Sequence, residues 1–510
     1  MSQVNNKRIF KNTAYLYVRM LLGLIVSLIT ARVILDALGI VDYGLNDVVG
    51  GMVTLFSFVG STLSTSTSRF LSYSIGKDET ETLKTIYKTA NYIHLFIAII
   101  VIVLGETIGV YLVNNVLDIP LDRLYACNIL WQTVVVGALF SILQVPLSSL
   151  IISYERMDVY AYIGLFDIFV RLAIVFLVKY SPYDHLISLA FLNLAVCVID
   201  FLFYTIYCRR HFPGIAQFSI KYDAEVKKKM LGFTGWNVLG SLANMLRHSG
   251  ISVLLNVFFG PIANAANAIA FRVNSAIMGF TSNFTTAVNP QIIKSYAAGE
   301  KEDMKMLIFR AGKLTYYMLL LLCLPIIFEC DYILHLWLGN EVPQDAIIMT
   351  RIVLAISMVD TFTYSIGCAV QATGNIRNYQ LVISGIALLI FPLSWMLFKI
   401  GFPVYTGLIV YLACSMSALI VRMHFIKSLL SISPREYITN VFVRTFFATI
   451  LSCIAPLIVY LSLEESGVRC IIMFIVIELF SLSMIWLFGI DKRERMFLKT
   501  SIKKVIKRHK

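Results

Sequence analysis

The chain has 510 residues, 58% of them hydrophobic and 14% charged, with a formal net charge of +13. Soluble domains are usually about 25% charged and about half apolar. A soluble chain could not hide this much apolar surface, so the composition predicts an all-α polytopic membrane protein.

In chain order, apolar runs of roughly 20 residues predict about fourteen transmembrane helices. They fall at 13–35, 44–64, 90–113, 126–152, 159–179, 185–208, 231–257, 262–288, 312–329, 346–370, 379–399, 403–425, 439–462 and 468–490. The first is too long for a signal-peptide core, and no A-x-A site follows it, so it counts as the first helix. With the N terminus in the cytoplasm, the cytoplasmic segments hold about 32 Lys/Arg and the far side about four: Arg123, Lys179, Lys399 and Arg469. Both termini are therefore expected inside. The basic excess reads as topology plus attraction to anionic membrane lipids, not as nucleic-acid binding, because no soluble domain is left to carry a folded basic face. The basic tail places Leu498, Ile502 and Val505 at helical spacing and is expected to lie on the inner leaflet. Nine scattered Cys without a CxxC pair point to neither a disulfide framework nor a metal site.

The chain repeats internally. "FLSYSIGKDETETLKTIYK", after the second run, resembles "IIKSYAAGEKEDMKMLIFR", after the eighth. At a shift of 223, Tyr73 meets Tyr296, Gly76 meets Gly299 and Glu79 meets Glu302. Upstream, "LGIVDYGLND" matches "FGPIANAANA" loosely at a shift near 221, placing Asn46 on Asn267. Six runs separate equivalent points, which predicts a parallel repeat: two six-helix pseudo-symmetric bundles around a central cavity, plus two extra helices. The expected division is an N-terminal lobe at 1–212, a basic cytoplasmic linker at 213–230, a C-terminal lobe at 231–426, and helices thirteen and fourteen with the tail at 427–510.

Four of the runs carry polar stripes at three- and four-residue steps. The second shows Asp47, Gly50, Thr54, Ser57, Ser61, Thr65 and Ser68; the eighth shows Ala265, Ala268, Arg272, Ser275, Gly279 and Asn283. The first shows Asn12, Arg19, Gly23, Ser27 and Thr30; the seventh shows Asn237, Ser241, Asn244 and His248, with Arg247 at the stripe's edge. Small residues also serve close helix packing, but that does not explain arginines within the bilayer, which usually face a partner or a wet cavity. Arg272 lies roughly 15 Å into its span. The candidate substrate-binding residues are Arg19, Arg247, Arg272, Asn237, Asn244, His248, Ser275, Asn283, Asp47 and Thr54. Arg32 with Asp36, and Asp167 with Arg171, are spaced for i,i+4 pairs. Arg351 and Arg444 are expected to snorkel, while Glu106, Asp200, Asp360 and Glu478 stand as isolated acids. A guanidinium lining suits phosphate or another anion.

No GxxxxGK[ST], HExxH or GxSxG motif occurs, and no catalytic residue, cofactor or metal is assigned. Far-side loops are short, the longest being about 16 residues around 330–345, which argues against a membrane glycan polymerase or ligase.

Three stretches resemble the bacterial polysaccharide (O-antigen/repeat-unit) flippases of the multidrug/oligosaccharidyl-lipid/polysaccharide exporter superfamily. They are "ARVILDALGIVDYGLNDVVGG", "AIAFRVNSAIMGFTSNFTTAVNPQIIKSYAAGEKEDM" and "SIGCAVQATGNIRNYQ", and the likeness extends over essentially the whole chain. The resemblance implies two six-helix bundles with two extra helices, set in the bacterial inner membrane. It implies a polyprenyl-diphosphate-linked oligosaccharide as cargo, flipped to the outer leaflet by alternating access, with polysaccharide polymerase machinery as a partner. Helices thirteen and fourteen would then form an apolar groove for the lipid tail. The alternative is a cation-coupled exporter of small amphipathic molecules on the same fold.

Overall fold

The computed structural model describes residues 2–491 and 495, except 52, 116, 118 and 339–341; some further side chains, mainly in 2–11 and 24–59, are not described. The described residues are helical, with no strand. The long helices are α1 (Ser2–Gly51), α2 (Val53–Gly76), α3 (Thr80–Asn115), α4 (Leu124–Ser153), α5 (Met157–Lys179), α6 (His185–His211) and α7 (Ala224–Phe259). They continue with α8 (Pro261–Ala297), α9 (Lys301–Phe328), α10 (Gln344–Thr373), α11 (Arg377–Ile400), α12 (Thr406–Leu430), α13 (Pro434–Ser462) and α14 (Gly467–Gly489).

Among the described residues, ten helices are long and apolar enough to span a membrane: α3 to α6 and α9 to α14. The chain is a multi-pass membrane protein. The other four, α1, α2, α7 and α8, are the least apolar of the long helices. They are the four with polar stripes, and they complete the fourteen runs. Several helices outrun their apolar cores. The ninth run begins at 312, whereas α9 begins at Lys301, because charged residues continue a helix freely once it leaves the hydrocarbon.

The chain packs as two compact units, Arg8–Val238 in one and Met1–Lys7 with Leu239–Lys510 in the other. In the first, Leu71, Tyr87, Leu150, Ile151 and Tyr204 form a core joining α2, α3, α4 and α6. In the second, Leu255, Ala266, Met349, Val353 and Leu408 join α7, α8, α10 and α12.

Backbone geometry fixes the register of the repeat. Gly39 breaks α1 with φ 73° and ψ 170°, and Gly260 parts α7 from α8 with φ 80° and ψ −172°. This region of backbone space is essentially restricted to glycine. After α2, Asp78 takes φ 56°, and after α8, Gly299 takes φ 77°. Around them the same two hydrogen bonds recur: Asp78 N to Ile75 O with Glu79 N to Ser74 O, and Gly299 N to Tyr296 O with Glu300 N to Ser295 O. Both loops therefore align at the spacing that relates Gly39 to Gly260. The shift of 223 suggested by identities in the loop is corrected to 221, which pairs Ser74 with Ser295 and Glu79 with Glu300. The left-handed turn decides the alignment, and Asp tolerates that turn well enough to stand where the other half has Gly.

No atom lies within 4 Å of a Cβ added at Gly260, so the cost of a side chain there is purely conformational. Gly260→Val is expected to destabilise by about 1–3 kcal/mol. Gly232→Ala, inside α7 and equally unobstructed, should be neutral or stabilising. Thermal unfolding of the two variants in detergent checks this; equal midpoints would refute it.

Several charges on or beside the membrane-length helices find partners that sequence spacing could not name. Arg123 donates to Asp42 and, at 2.6 Å, to Asp184. Asp184 also caps α6, accepting from Ile187 N at 3.0 Å. Its hydrogen bond with Asp184 raises the Arg123 pKa. Burial alone would raise the Asp184 carboxyl, but Arg123 and the Ile187 N–H outweigh it and hold it below the usual aspartate value. Asp167 and Arg171 form the expected pair at 2.8 Å. Arg351 and Arg444, expected to snorkel, each have a protein partner. Arg351 donates to Ile327 O at 3.0 Å, and Arg444 pairs with Asp491. Glu106 is not isolated either, since Gln132 donates to it at 3.0 Å. Arg32, Asp36 and the basic tail lie outside the described residues or side chains.

Candidate functional site

In the second unit, α7, α8, α10 and α12 enclose a cavity of about 370 Å³. Arg247, Asn274, Ser282, Asp360, Tyr364 and Tyr411 are among its lining residues. The volume lies in the range of small-ligand sites. Arg247 is held by its ring contact: its guanidinium carbon lies 4.2 Å from the Tyr411 ring centroid, a cation–π arrangement. Its Nε is buried without a hydrogen-bond partner among the described residues. On the facing wall, Ser357 donates to Asn274 Oδ1 at 2.6 Å and fixes that amide. Asp360 lies within electrostatic reach of Arg247 and Arg422. The cavity thus offers one guanidinium face, one carboxylate and two phenol rings.

The first unit holds a comparable cluster on α1, α5 and α6. The Arg19 guanidinium carbon lies 4.7 Å from the Tyr160 ring centroid, with Tyr204 and Asp167 in electrostatic reach. A Cβ at Gly164 would come within 2.2 Å of Arg19 Nε, so glycine is what lets this side chain lie against α5. Asp200 faces Asp167, Arg171 and Arg19, and its Oδ1 is buried with no hydrogen-bond partner among the described residues. In each unit an arginine from the first helix of the repeat (α1 or α7) rests on a tyrosine near an acid.

The other sequence candidates are placed differently. Arg272 is exposed on α8 and is not among the residues lining this cavity. Asn237 is buried and donates back to Phe233 O at 3.2 Å. Asn244, Ser275 and Asn283 donate back to Gly240, Phe271 and Gly279 carbonyls of their own helices, as the packing interpretation of polar stripes expects. The side chains of Asp47, Thr54 and His248 lie outside the described residues. Sequence reasoning missed Tyr160, Tyr204, Tyr364 and Tyr411, because an aromatic in an apolar run carries no periodic signal. It anticipated a cationic lining; the sign within each unit is mixed, because Asp200 and Asp360 accompany the arginines.

No known family profile matches the chain, and no curated protein does. Solved structures share its fold. An outward-facing multidrug resistance transporter of the MATE family, in the MOP superfamily, superposes with a TM-score of 0.71 at 13% identity, over 84% of this chain and 98% of that one. A MATE transporter in the straight conformation gives 0.73 at 12%, over 84% and 96%. A MOP superfamily transporter from Pyrococcus furiosus, whose reversed pocket polarity was taken to suggest a different function, gives 0.70 at 13%, over 82% and 96%. At such identities the likeness shows the fold alone.

Proposed function

We propose that this chain carries an amphipathic cargo across the membrane by alternating access, and that the cargo is a polyprenyl-diphosphate-linked oligosaccharide repeat unit. The observation that carries the choice of cargo is Arg247, which lines a cavity and whose Nε has no hydrogen-bond partner among the described residues. A guanidinium lining a cavity suits a diphosphate or an acidic sugar. The sequence likeness to polysaccharide flippases supports the same cargo. Arg19 would serve in the other unit, and Arg272 on an exposed face of α8. On this proposal the protein works in the bacterial inner membrane, with both termini cytoplasmic, upstream of the polysaccharide polymerase machinery.

A second function has specific support. The multidrug resistance transporter among the fold neighbours favours a cation-coupled exporter of small amphipathic molecules over the flippase. Asp360 and Asp200 are carboxylates of the kind such coupling needs. The Pyrococcus protein's reversed pocket polarity supports treating pocket charge as the feature that decides cargo on this fold.

A deletion strain separates the two. Loss of the flippase should remove surface polysaccharide and leave a lipid-linked oligosaccharide on the inner leaflet. Intact polysaccharide together with altered tolerance of amphipathic drugs would instead establish the exporter.

A further inference from the structure

Between α6 and α7, in the first unit, the chain runs through residues 212–223 without regular helix. The first part turns back onto the unit: Ile215 and Ala216 are buried in the core of α2, α3, α4 and α6. The last part is fastened to α3. Asp223 N donates to Thr89 Oγ1 at 3.2 Å, and the Tyr222 ring centroid lies 4.3 Å from that of Tyr92. Between these two anchors Phe218 is 54% exposed and Ile220 62%. Alternate side chains of an extended chain share a side, so the two project together and Tyr222 continues the row.

Contacts with α3 set the height of this segment. The apolar run of α3 begins at 90. Tyr92 lies about 3 Å inside that boundary at 1.5 Å per residue. Lys84, which a Cβ at Gly214 would meet at 4.0 Å, lies about 9 Å outside it. The stretch from Gly214 to Tyr222 therefore crosses the layer of lipid headgroups, roughly 5–8 Å deep on each side of the hydrocarbon. Its charge suits that level. Residues 209–229 hold six Lys/Arg against two acids. Both acids are engaged within the segment: Asp223 accepts from Val226 N at 2.8 Å at the start of α7, and Glu225 pairs with Lys229 at 2.6 Å. Lys227 lies over the Tyr222 ring at 4.0 Å. Arg209, Arg210, Lys221 and Lys228 are exposed. The adjoining residues 77–88 hold three Lys and three acids, so they do not cancel the excess. Exposed apolar side chains rimmed by cations suit an anionic lipid surface.

We propose that residues 217–223 dock on the inner leaflet, with Phe218 and Ile220 sunk at the boundary of headgroups and acyl chains, and with Arg209, Arg210, Lys221 and Lys228 against the phosphates of anionic lipids. The segment lies at the end of the unit that the Lys/Arg pattern assigns to the cytoplasm. Long cationic stems let the charges reach the phosphates while the apolar neighbours go in. Lipid headgroups already fill the layer that the segment crosses, so the occupant is the membrane and not a cytosolic protein. The docking involves no cargo and stands whichever substrate the protein carries.

The test uses the purified full-length protein in lipid nanodiscs of phosphatidylcholine, with or without phosphatidylglycerol. A nitroxide is attached at Phe218→Cys or, on the other side of the extended chain, at Gln217→Cys. The unaltered protein, whose own cysteines are buried or half-buried, is treated in the same way as the background. Collisions with oxygen and with a water-soluble nickel complex report the surroundings of each label. With phosphatidylglycerol, the label at 218 should be shielded from nickel and open to oxygen, while the label at 217 stays open to nickel. Adding Arg209→Gln and Lys221→Gln should lower the ratio of docked to undocked segment roughly ten- to thirtyfold, the weight of two charges at an anionic surface. Ile220→Cys repeats the measurement if Phe218→Cys fails to fold. Equal nickel exposure at 217 and 218 would overturn the proposal. So would shielding that is the same in both lipids or undiminished by the two charge substitutions. Exposure that ends only when cytosolic proteins are added would give the surface to a protein partner and overturn it as well.

Discussion

On the proposed anionic cargo, Arg247→Gln is expected to lower export roughly ten- to a hundredfold, and Asp360→Asn to change it less than about threefold. The first figure follows from losing a hydrogen bond to a charged group, worth about 1.5–3 kcal/mol, at about 1.4 kcal/mol per factor of ten. The geometry makes the comparison clean. Arg247 and Asp360 line one cavity, so the two substitutions probe the same place with opposite sign. Asp360 also has Arg422 within electrostatic reach, so removing Arg247 does not leave a carboxylate with no cation nearby. Arg247→Lys should fall between, keeping the charge but losing the planar fork and the stack on Tyr411. Surface polysaccharide per cell, normalised to membrane-inserted protein, reads the effect. The opposite ranking, with Asp360→Asn inactive and Arg247→Gln near normal, would remove the anionic cargo and make Asp360 the coupling group of a cation-driven exporter.

Helix number was legible because the length of an apolar run is a property of a single segment. Position along a helix is not direction. Arg272 lies far along its helix, yet it is exposed, and it is Arg247, at the edge of its stripe, that lines the cavity. Partners across space were not legible. Asp42 meets Arg123 81 residues away, and no helical period connects two such positions. The repeat was legible in outline and misread by two residues in detail, because identities at Tyr73 and Gly76 outweighed a left-handed turn that Asp78 does not announce. Gly39 and Gly260 mark the true register, and a search for glycine-dependent turns, rather than for identities, would have found it.

Arg469→Leu is expected to cost about 3–5 kcal/mol of stability, the usual penalty for stranding one member of a buried ion pair. Arg469 donates from Nε and one terminal nitrogen to the two Glu329 oxygens, both at 2.9 Å. Glu329 is 1% exposed and Arg469 7%. The pair fastens the start of α14 to the end of α9. Arg469 also reaches Leu463 O at 3.4 Å and faces the Tyr460 ring at 5.0 Å, drawing in the end of α13. Removing the arginine takes away the one counter-charge that pairs with Glu329 among the described residues. Removing both charges strands neither, so Arg469→Leu with Glu329→Leu should recover most of the loss. Arg469→Lys should recover little, because an ammonium cannot span both oxygens. Thermal unfolding in detergent measures all three variants, and a single Arg469→Leu midpoint equal to that of the unaltered protein would show that the pair adds nothing. If the double substitution folds but the cargo no longer moves, then α13 and α14 must stay fastened to α9 for transport, and the clamp acts on function through position alone.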